Sequence, residues 1–346
     1  MMLLDFQKYK VKEIIEETKV NTIGDNALTT DVLSFLELWD TDSGMFTIMS
    51  SGTTGEVREM SFTKQALIAS ANITLTTFDL KAGDLVLQAL PMSFVAGKMM
   101  LVRAIIGKLK IVIIKPSSKP LKELKGEFKF AAFTPHQVQN ILSESPEKLN
   151  LFSIIIIGGS KVDRDLEDRL ASYDTRCYET FGMSETLTHV AIRQVNGEKR
   201  SQNFRVLRDF KWEITTKGCL QLSADHLNDS PIVTKDLIER IDEDHFLWLG
   251  REDNVINTGG IKVYPETIER KLSGSIKQPF IVSKMKDDKL GEKVIIYFEE
   301  RYKEYFESNP PEYLELSVFE RPKEIKFIDR FPRNKNGKII RALLNG

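Results

Sequence analysis

Apolar and polar positions follow one pattern through the first two thirds of the chain and another after it. The segment "DLVLQAL" predicts a strand, "VAGKMMLVRAIIG" a helix and "LKIVII" a further strand. Next, "FKFAAF" precedes the helical "PHQVQNILSE", and "FSIIIIGG" precedes the helical "DRDLEDRLASY". Short runs apolar at nearly every position, separated by helices, predict a largely parallel sheet covered on both faces. Ligands of such sheets sit at the carboxyl ends of the strands. From about Lys211 the pattern changes to short strands, "KWEITT", "GCLQLSA" and "HFLWLG", with turn residues between them. After "GREDN" comes a compact mixed segment with the helix "PETIERKLS" and the strands "QPFIVS", "KVIIYFE" and "EIKFID". The expected fold class is α/β: a large N-terminal domain with a mainly parallel, helix-covered sheet plus a β-rich portion, then a small α+β C-terminal domain.

Length supports the same division, since 346 residues exceed one domain of roughly 100–200 residues. The 49 Lys and Arg nearly cancel the 50 Asp and Glu, so no global field favours nucleic acid. Two distant cysteines, Cys177 and Cys219, exclude a disulfide scaffold or zinc site and fit a reducing cytoplasm. The N-terminus is charged too early for a signal peptide, and runs such as Ile154 to Ile157 are too short for membrane insertion. Four scattered histidines form no His-x-x-x-His pair, which sets aside a histidine-built metalloenzyme.

Candidate chemistry begins at "MSSGTTGEVRE", which follows the apolar "MFTI" and precedes a helical stretch from Thr63. A Gly-rich loop between strand and helix cradles phosphate through converging backbone N–H groups. Ser50, Ser51, Gly52, Thr53, Thr54 and Gly55 supply those groups and further donors. A plain polar turn has the same composition, so both readings stand on this loop alone. The Walker-type loop does not fit, because Gly55 is followed by Glu56-Val57-Arg58 rather than Lys-Ser/Thr.

Six stretches, in order, resemble the adenylate-forming superfamily of acyl-CoA synthetases, peptide-synthetase adenylation domains and luciferase. They are "SSGTTGEVRE", "IIIIGGS", "ETFGMSETLTH", "TKDLIER", "GREDNVINTGGIKVYPETIER" and "FPRNKNGKIIR", spread from residue 50 to 341. The resemblance implies ATP, magnesium and coenzyme A as reactants and cofactor, with a small-molecule carboxylate as the other substrate. It places phosphates on residues 50–55, with Arg58 standing where the family has lysine. It implies adenine against Gly158, Gly159, Ser160, Phe181 and Gly182, phosphate contacts from Ser184, and magnesium near Glu185. Asp236 would accept from the ribose hydroxyls and Arg251 would contact the nucleotide. Asp253 would be the hinge, Gly259 and Gly260 would border the coenzyme A tunnel, and Lys338 would be the catalytic lysine. The implied domains are 1–250, a hinge at 251–253, and a mobile 254–346.

Departures from the family refine the expectation. Its members carry more chain before the phosphate loop, so one sheet edge must be covered by residues 1–40 or by another subunit, which leaves a homodimer open. Lys235 stands in place of a glycine, and Phe94 in place of a histidine. Lys98 and Arg103 interrupt an otherwise apolar helix; either they snorkel to the surface or one meets a second carboxylate on the substrate. Thr188, His189 and Arg193 either line the same acyl pocket or face solvent. The stretches "AGKMMLVRA" and "GMSETLTHVAIR" resemble the short bacterial o-succinylbenzoate–CoA ligases of menaquinone biosynthesis, whose substrate has two carboxylates. The alternatives are another aryl or fatty acid–CoA ligase, an enzyme loading a carrier protein, or a catalytically silent nucleotide-binding homologue.

Overall fold

The structure is a computed structural model that describes residues 1–21, 27–41, 44–49, 59–227, 230–333 and 339–344. Its strands are β1 (Met2–Asp5), β2 (Met45–Met49), β3 (Glu59–Thr63), β4 (Leu85–Gln88), β5 (Lys110–Ile113), β6 (Phe128–Phe133), β7 (Phe152–Ile157), β8 (Arg176–Gly182), β9 (His189–Gln194) and β10 (Asn203–Val206). They continue with β11 (Lys211–Ile214), β12 (Cys219–Ser223), β13 (Ile232–Arg240), β14 (His245–Arg251), β15 (Ile256–Thr258), β16 (Ile261–Val263), β17 (Phe280–Asp287), β18 (Gly291–Glu299) and β19 (Glu324–Ile328). The helices are α1 (Val11–Asn21), α2 (Ala27–Asp40), α3 (Lys64–Thr77), α4 (Val95–Gly107), α5 (Pro135–Glu144), α6 (Arg164–Leu170), α7 (Pro265–Leu272) and α8 (Lys303–Ser308). Two compact units emerge: Met1–Val162 with Arg169–Lys211 and Ser223–Ile232, and Asp163–Asp168 with Trp212–Leu222 and Val233–Gly346.

In the first unit the strand order is β1-β5-β4-β6-β7-β8-β9-β10. Strands β5, β4, β6, β7 and β8 run parallel, as the uninterrupted apolar runs of the first four predict. Ile154 to Ile157 are all buried, so both faces of β7 are covered. On the far side β9 runs antiparallel to β8, and β10 antiparallel to β9. The edge at β5 is taken by β1, antiparallel from Met2↔Ile113 to Asp5↔Lys110. Local chemistry sets the helix ends. Thr134 and Gln137 form a capping box before α5, with Pro135 in its first turn, and Lys108 closes α4 in the left-handed conformation.

One local expectation changes. The chain does not pass from the Gly-rich loop straight into a helix, because β3 first pairs back on β2, from Met45↔Thr63 to Met49↔Glu59. Phe46, Ile48 and Phe62 are buried, and this alternation favours a half-buried hairpin. Helix α3 starts after it, capped by Thr63, whose hydroxyl accepts from the Ala66 N–H at 3.1 Å.

In the second unit β14, β13, β12 and β11 lie side by side. A separate sheet has the order β16-β15-β18-β17, with β19 parallel to β18. Its core includes Ile256, Val263, Ile268, Leu272, Val282, Ile296 and Phe298. Among the described residues no helix is long and apolar enough to cross a membrane, and Cys177 and Cys219 are buried free thiols.

Candidate active site

Strands β7 and β8 are parallel neighbours, with Ile157 opposite Glu179, so Gly158–Ser160 and the turn after Gly182 leave the same end of the sheet. Gly158 sits so close to the Thr180 hydroxyl that a Cβ would overlap it, and Gly159 has φ +88°. Both positions need glycine. Ser160 and Glu185 are exposed and Ser184 is half-buried. The turn carrying them is pinned by Thr186, whose buried hydroxyl accepts from the Met183 N–H at 3.2 Å and lies 2.7 Å from the Thr188 carbonyl. Gly182 has no room for a Cβ against that same carbonyl. Phe181, half-buried, meets Phe204 edge-to-face at 5.7 Å.

Helix α4 brings up the cations. Its cap residue Phe94 bridges to Met49, which immediately precedes the Gly-rich loop. Lys98 is half-buried and donates to the Thr47 carbonyl at 2.8 Å; burial lowers its pKa, with Asp31 opposing. Arg103 does not snorkel. It is 3% exposed, donating from Nη2 to Thr188 Oγ1 at 2.8 Å and from Nη1 to Met100 Sδ at 3.4 Å. Among the described residues its Nε has no hydrogen-bond partner and no carboxylate pairs with it. Burial pushes the guanidinium down to about 9, so it stays a cation at neutral pH. His189 is equally buried, with Nδ1 3.0 Å from Thr188 Oγ1 and Nε2 3.4 Å from Thr74 Oγ1. Burial first, then the charge on Arg103, pushes it down to about 3, so it is neutral.

Arg193 is also buried, which excludes a solvent-facing position, but its guanidinium is engaged within the sheet. It donates from Nε to Glu179 at 2.6 Å and from Nη1 to the Ser201 carbonyl at 3.0 Å. Glu179 in turn accepts from the Val162 N–H at 2.9 Å. This cross-strand pair therefore holds the chain just after Ser160, and Arg193 does not join the Arg103 cluster.

In the second unit, Asp236 lies opposite Arg251 across β13 and β14. Asp236 accepts from Trp248 Nε1 at 3.0 Å, and its other oxygen is 3.6 Å from Arg251 Nη1. Arg251 Nη2 is 3.7 Å from Asp253, which also receives Lys235 Nζ at 2.9 Å. Charges thus alternate along Asp236, Arg251, Asp253 and Lys235. Gly259 and Gly260, with φ +59° and +81°, make the two-residue turn between β15 and β16, the geometry that a type I′ hairpin demands.

Residues 50–55, Arg58 and Lys338 lie outside the described residues. The residues flanking 334–338 are tied together, Arg333 to Ile339 by a bridge and Ile340 N–H to the Pro332 carbonyl at 2.8 Å. Among the described residues no cluster of three or more His, Cys, Asp or Glu could hold a metal ion. A lone exposed Glu185 does fit magnesium, which takes one or two protein carboxylates and completes its shell with substrate phosphates and water. The sequence reading missed Thr74, Glu179 and Trp248. Thr74 leaves one trace, since Ser70 and Thr74, four apart, interrupt the apolar face of α3.

Comparison with known proteins bears on the family and the fold. A family profile described as "AMP-binding enzyme" matches residues 3–206, more than half of the chain. A 2-succinylbenzoate–CoA ligase of Lactococcus lactis is 25% identical, across 98% of this chain and 83% of the relative. Among solved structures, an acyl-CoA synthetase (AMP-forming)/AMP-acid ligase II-like protein of Dyadobacter fermentans is 29% identical with a TM-score of 0.66. It covers 94% of this chain and 96% of that one. An o-succinylbenzoate CoA synthetase of Bacillus subtilis, bound to its acyl-adenylate intermediate, is 18% identical and shares the fold. Its TM-score is 0.70, over 87% of this chain and 68% of that one. With its parallel sheet, its glycine turn after β7 and its Ser184–Glu185 turn after β8, the chain belongs to the AMP-binding enzyme family.

Proposed function

We propose that the protein activates a carboxylate with ATP, releasing pyrophosphate and forming acyl-AMP, and then transfers the acyl group to coenzyme A as a thioester. The acyl substrate in this reading is o-succinylbenzoate. One observation carries the choice: Arg103 is a buried cation with neither a hydrogen-bond partner for Nε nor a carboxylate partner among the described residues. Burying an unpaired charge is unfavourable, and an anionic ligand group relieves that cost. Activation of the succinyl carboxylate of o-succinylbenzoate leaves its ring carboxylate to be recognised, whereas a fatty acyl chain has nothing to offer a guanidinium.

The chemistry needs no general base, because the attacking carboxylate is ionised at neutral pH. Its obstacle is repulsion from ATP, roughly 4 kcal/mol per pair of unit charges at ~4 Å and an effective dielectric near 20. Positive charge and fixed dipoles must therefore converge on the α-phosphate. In this reading residues 50–55 and Arg58 hold phosphates, Gly158–Ser160 and Phe181 bound the adenine, and Asp236 and Arg251 hold the ribose and nucleotide. Glu185 would hold magnesium, which would supply positive charge against the phosphates. Lys338 bridges carboxylate and phosphate, then withdraws as 254–346 turns about Asp253, so that the thiol enters past Gly259 and Gly260.

ATP–pyrophosphate exchange over a panel of carboxylic acids tests the reading. Exchange supported by o-succinylbenzoate alone is expected. Exchange only with fatty or simple aryl acids would overturn the substrate, and none with any acid would overturn the chemistry. Lys338→Ala should abolish exchange and leave attack of coenzyme A on preformed acyl-adenylate largely intact.

A further inference from the structure

The hydrogen bonds around Arg103 form a chain whose direction is set at its two ends. A guanidinium only donates, so the Thr188 hydroxyl accepts from Arg103 Nη2 at 2.8 Å. Its own hydrogen is then left for His189 Nδ1, 3.0 Å away. On the other side of the ring the Thr74 hydroxyl donates to the Ser70 carbonyl one helical turn earlier, so its oxygen accepts from Nε2–H at 3.4 Å, and Nδ1 of the neutral ring is left to accept from Thr188. Polarity therefore runs from Arg103 through Thr188, His189 and Thr74 into the backbone of α3.

We propose that His189 is a positioning residue for acyl-substrate selectivity: it holds the Thr188 hydroxyl in the one orientation that accepts from Arg103, and so presents the unpartnered Arg103 Nε to a carboxylate at the remote end of the substrate. The inference rests on the reading that Arg103 meets such a group. Three features support it. His189 sits where burial and the charge on Arg103 keep it neutral, and a second cation there would compete for the same hydroxyl. The Phe78 ring packs on it edge-to-face at 6.1 Å, limiting ring rotation. Finally, Gly182 lies opposite His189 in the β8–β9 register, which fixes the backbone from which the ring projects.

The test uses two acids that differ only in the remote group: o-succinylbenzoate, and 4-oxo-4-phenylbutanoate, which lacks the ring carboxylate. His189→Phe removes the acceptor for Thr188, and His189→Asn restores an acceptor near the Nδ1 position. Losing one such hydrogen bond should raise KM for o-succinylbenzoate roughly tenfold. KM for ATP and all constants for the analogue should change little, and His189→Asn should recover much of the loss. Equal losses for both acids in His189→Phe would make the residue merely structural and overturn the proposal. Should Arg103→Gln erase the preference for the dicarboxylate while His189→Phe keeps it, His189 is excluded but the Arg103 reading survives. Should Arg103→Gln also leave the preference intact, the underlying reading itself fails.

Discussion

Lys235 Nζ lies 2.9 Å from Asp253 Oδ1 and 3.2 Å from its Oδ2, so a side chain that departs from the family pattern grips the residue proposed as the hinge. Both side chains are more than half exposed, at 58% and 52%. Such a pair contributes only about 0–1 kcal/mol and is sensitive to salt. Lys235→Ala should therefore leave folding nearly untouched. It should shift the ratio of the adenylation and thioester-forming rates by up to about fivefold at low ionic strength, and by little at 1 M salt. Single-turnover measurement of each half-reaction at both salt concentrations reads this directly. An unchanged ratio at low salt would mean that the ion pair does not bias the hinge.

The Glu179–Arg193 pair belongs to the opposite regime, with both side chains almost fully buried. Removing one partner strands a buried charge, which costs about 3–5 kcal/mol. Arg193→Ala and Glu179→Ala should each lower unfolding stability by that order in urea titrations. The double replacement should fall well short of the sum, because neither charge is then left alone. Losses under 1 kcal/mol for either single variant would show that the pair is solvated rather than buried.

These two pairs mark where the sequence stops being legible. The parallel core is readable because β6 and β7 are apolar at almost every position, and α4 and α5 show helical spacing. Strands β8 and β9 escape that reading because Glu179 and Arg193 break their apolar runs. The two charges neutralise each other only once the strands lie in register, and no single segment displays that. Arg103 is visible as a cation in an apolar helix, yet whether it points outward or inward depends on Thr188, 85 positions away. The hairpin of β2 and β3 is hidden for a simpler reason: glycine and hydroxyl residues mark a turn without saying what the chain does after it.

Acid should weaken the fold through His189. Its folded pKa lies at about 3, below its ordinary value of 6.5, so below pH 6.5 the unfolded chain binds the proton that the native state refuses. The contribution of the neutral ring is fully present above pH 6.5 and is lost as pH falls toward 3, at about 1.4 kcal/mol per unit. Urea titrations of the native protein and of His189→Phe from pH 7.5 to 4.5 isolate it. The native protein should lose stability relative to the variant across the acid half of that range. Parallel curves would place the imidazole in contact with water.

Gly182 offers a steric test of the turn between β8 and β9. A Cβ there would overlap the Thr188 carbonyl oxygen and crowd the His189 backbone. Neither is the yielding end of a long side chain, so the turn itself must shift. Gly182→Ala should lower stability by about 1–3 kcal/mol. Because Ser184, Glu185 and Thr188 ride on the same six-residue connection, their displacement should be shared. A shift near 1 Å at reacting groups costs on the order of 100-fold in rate, so pyrophosphate exchange should fall much further than stability alone explains at a temperature where the variant remains folded. An alanine variant with native exchange would mean that the turn opens without moving Glu185, and would separate the phosphate side of the site from the acyl side.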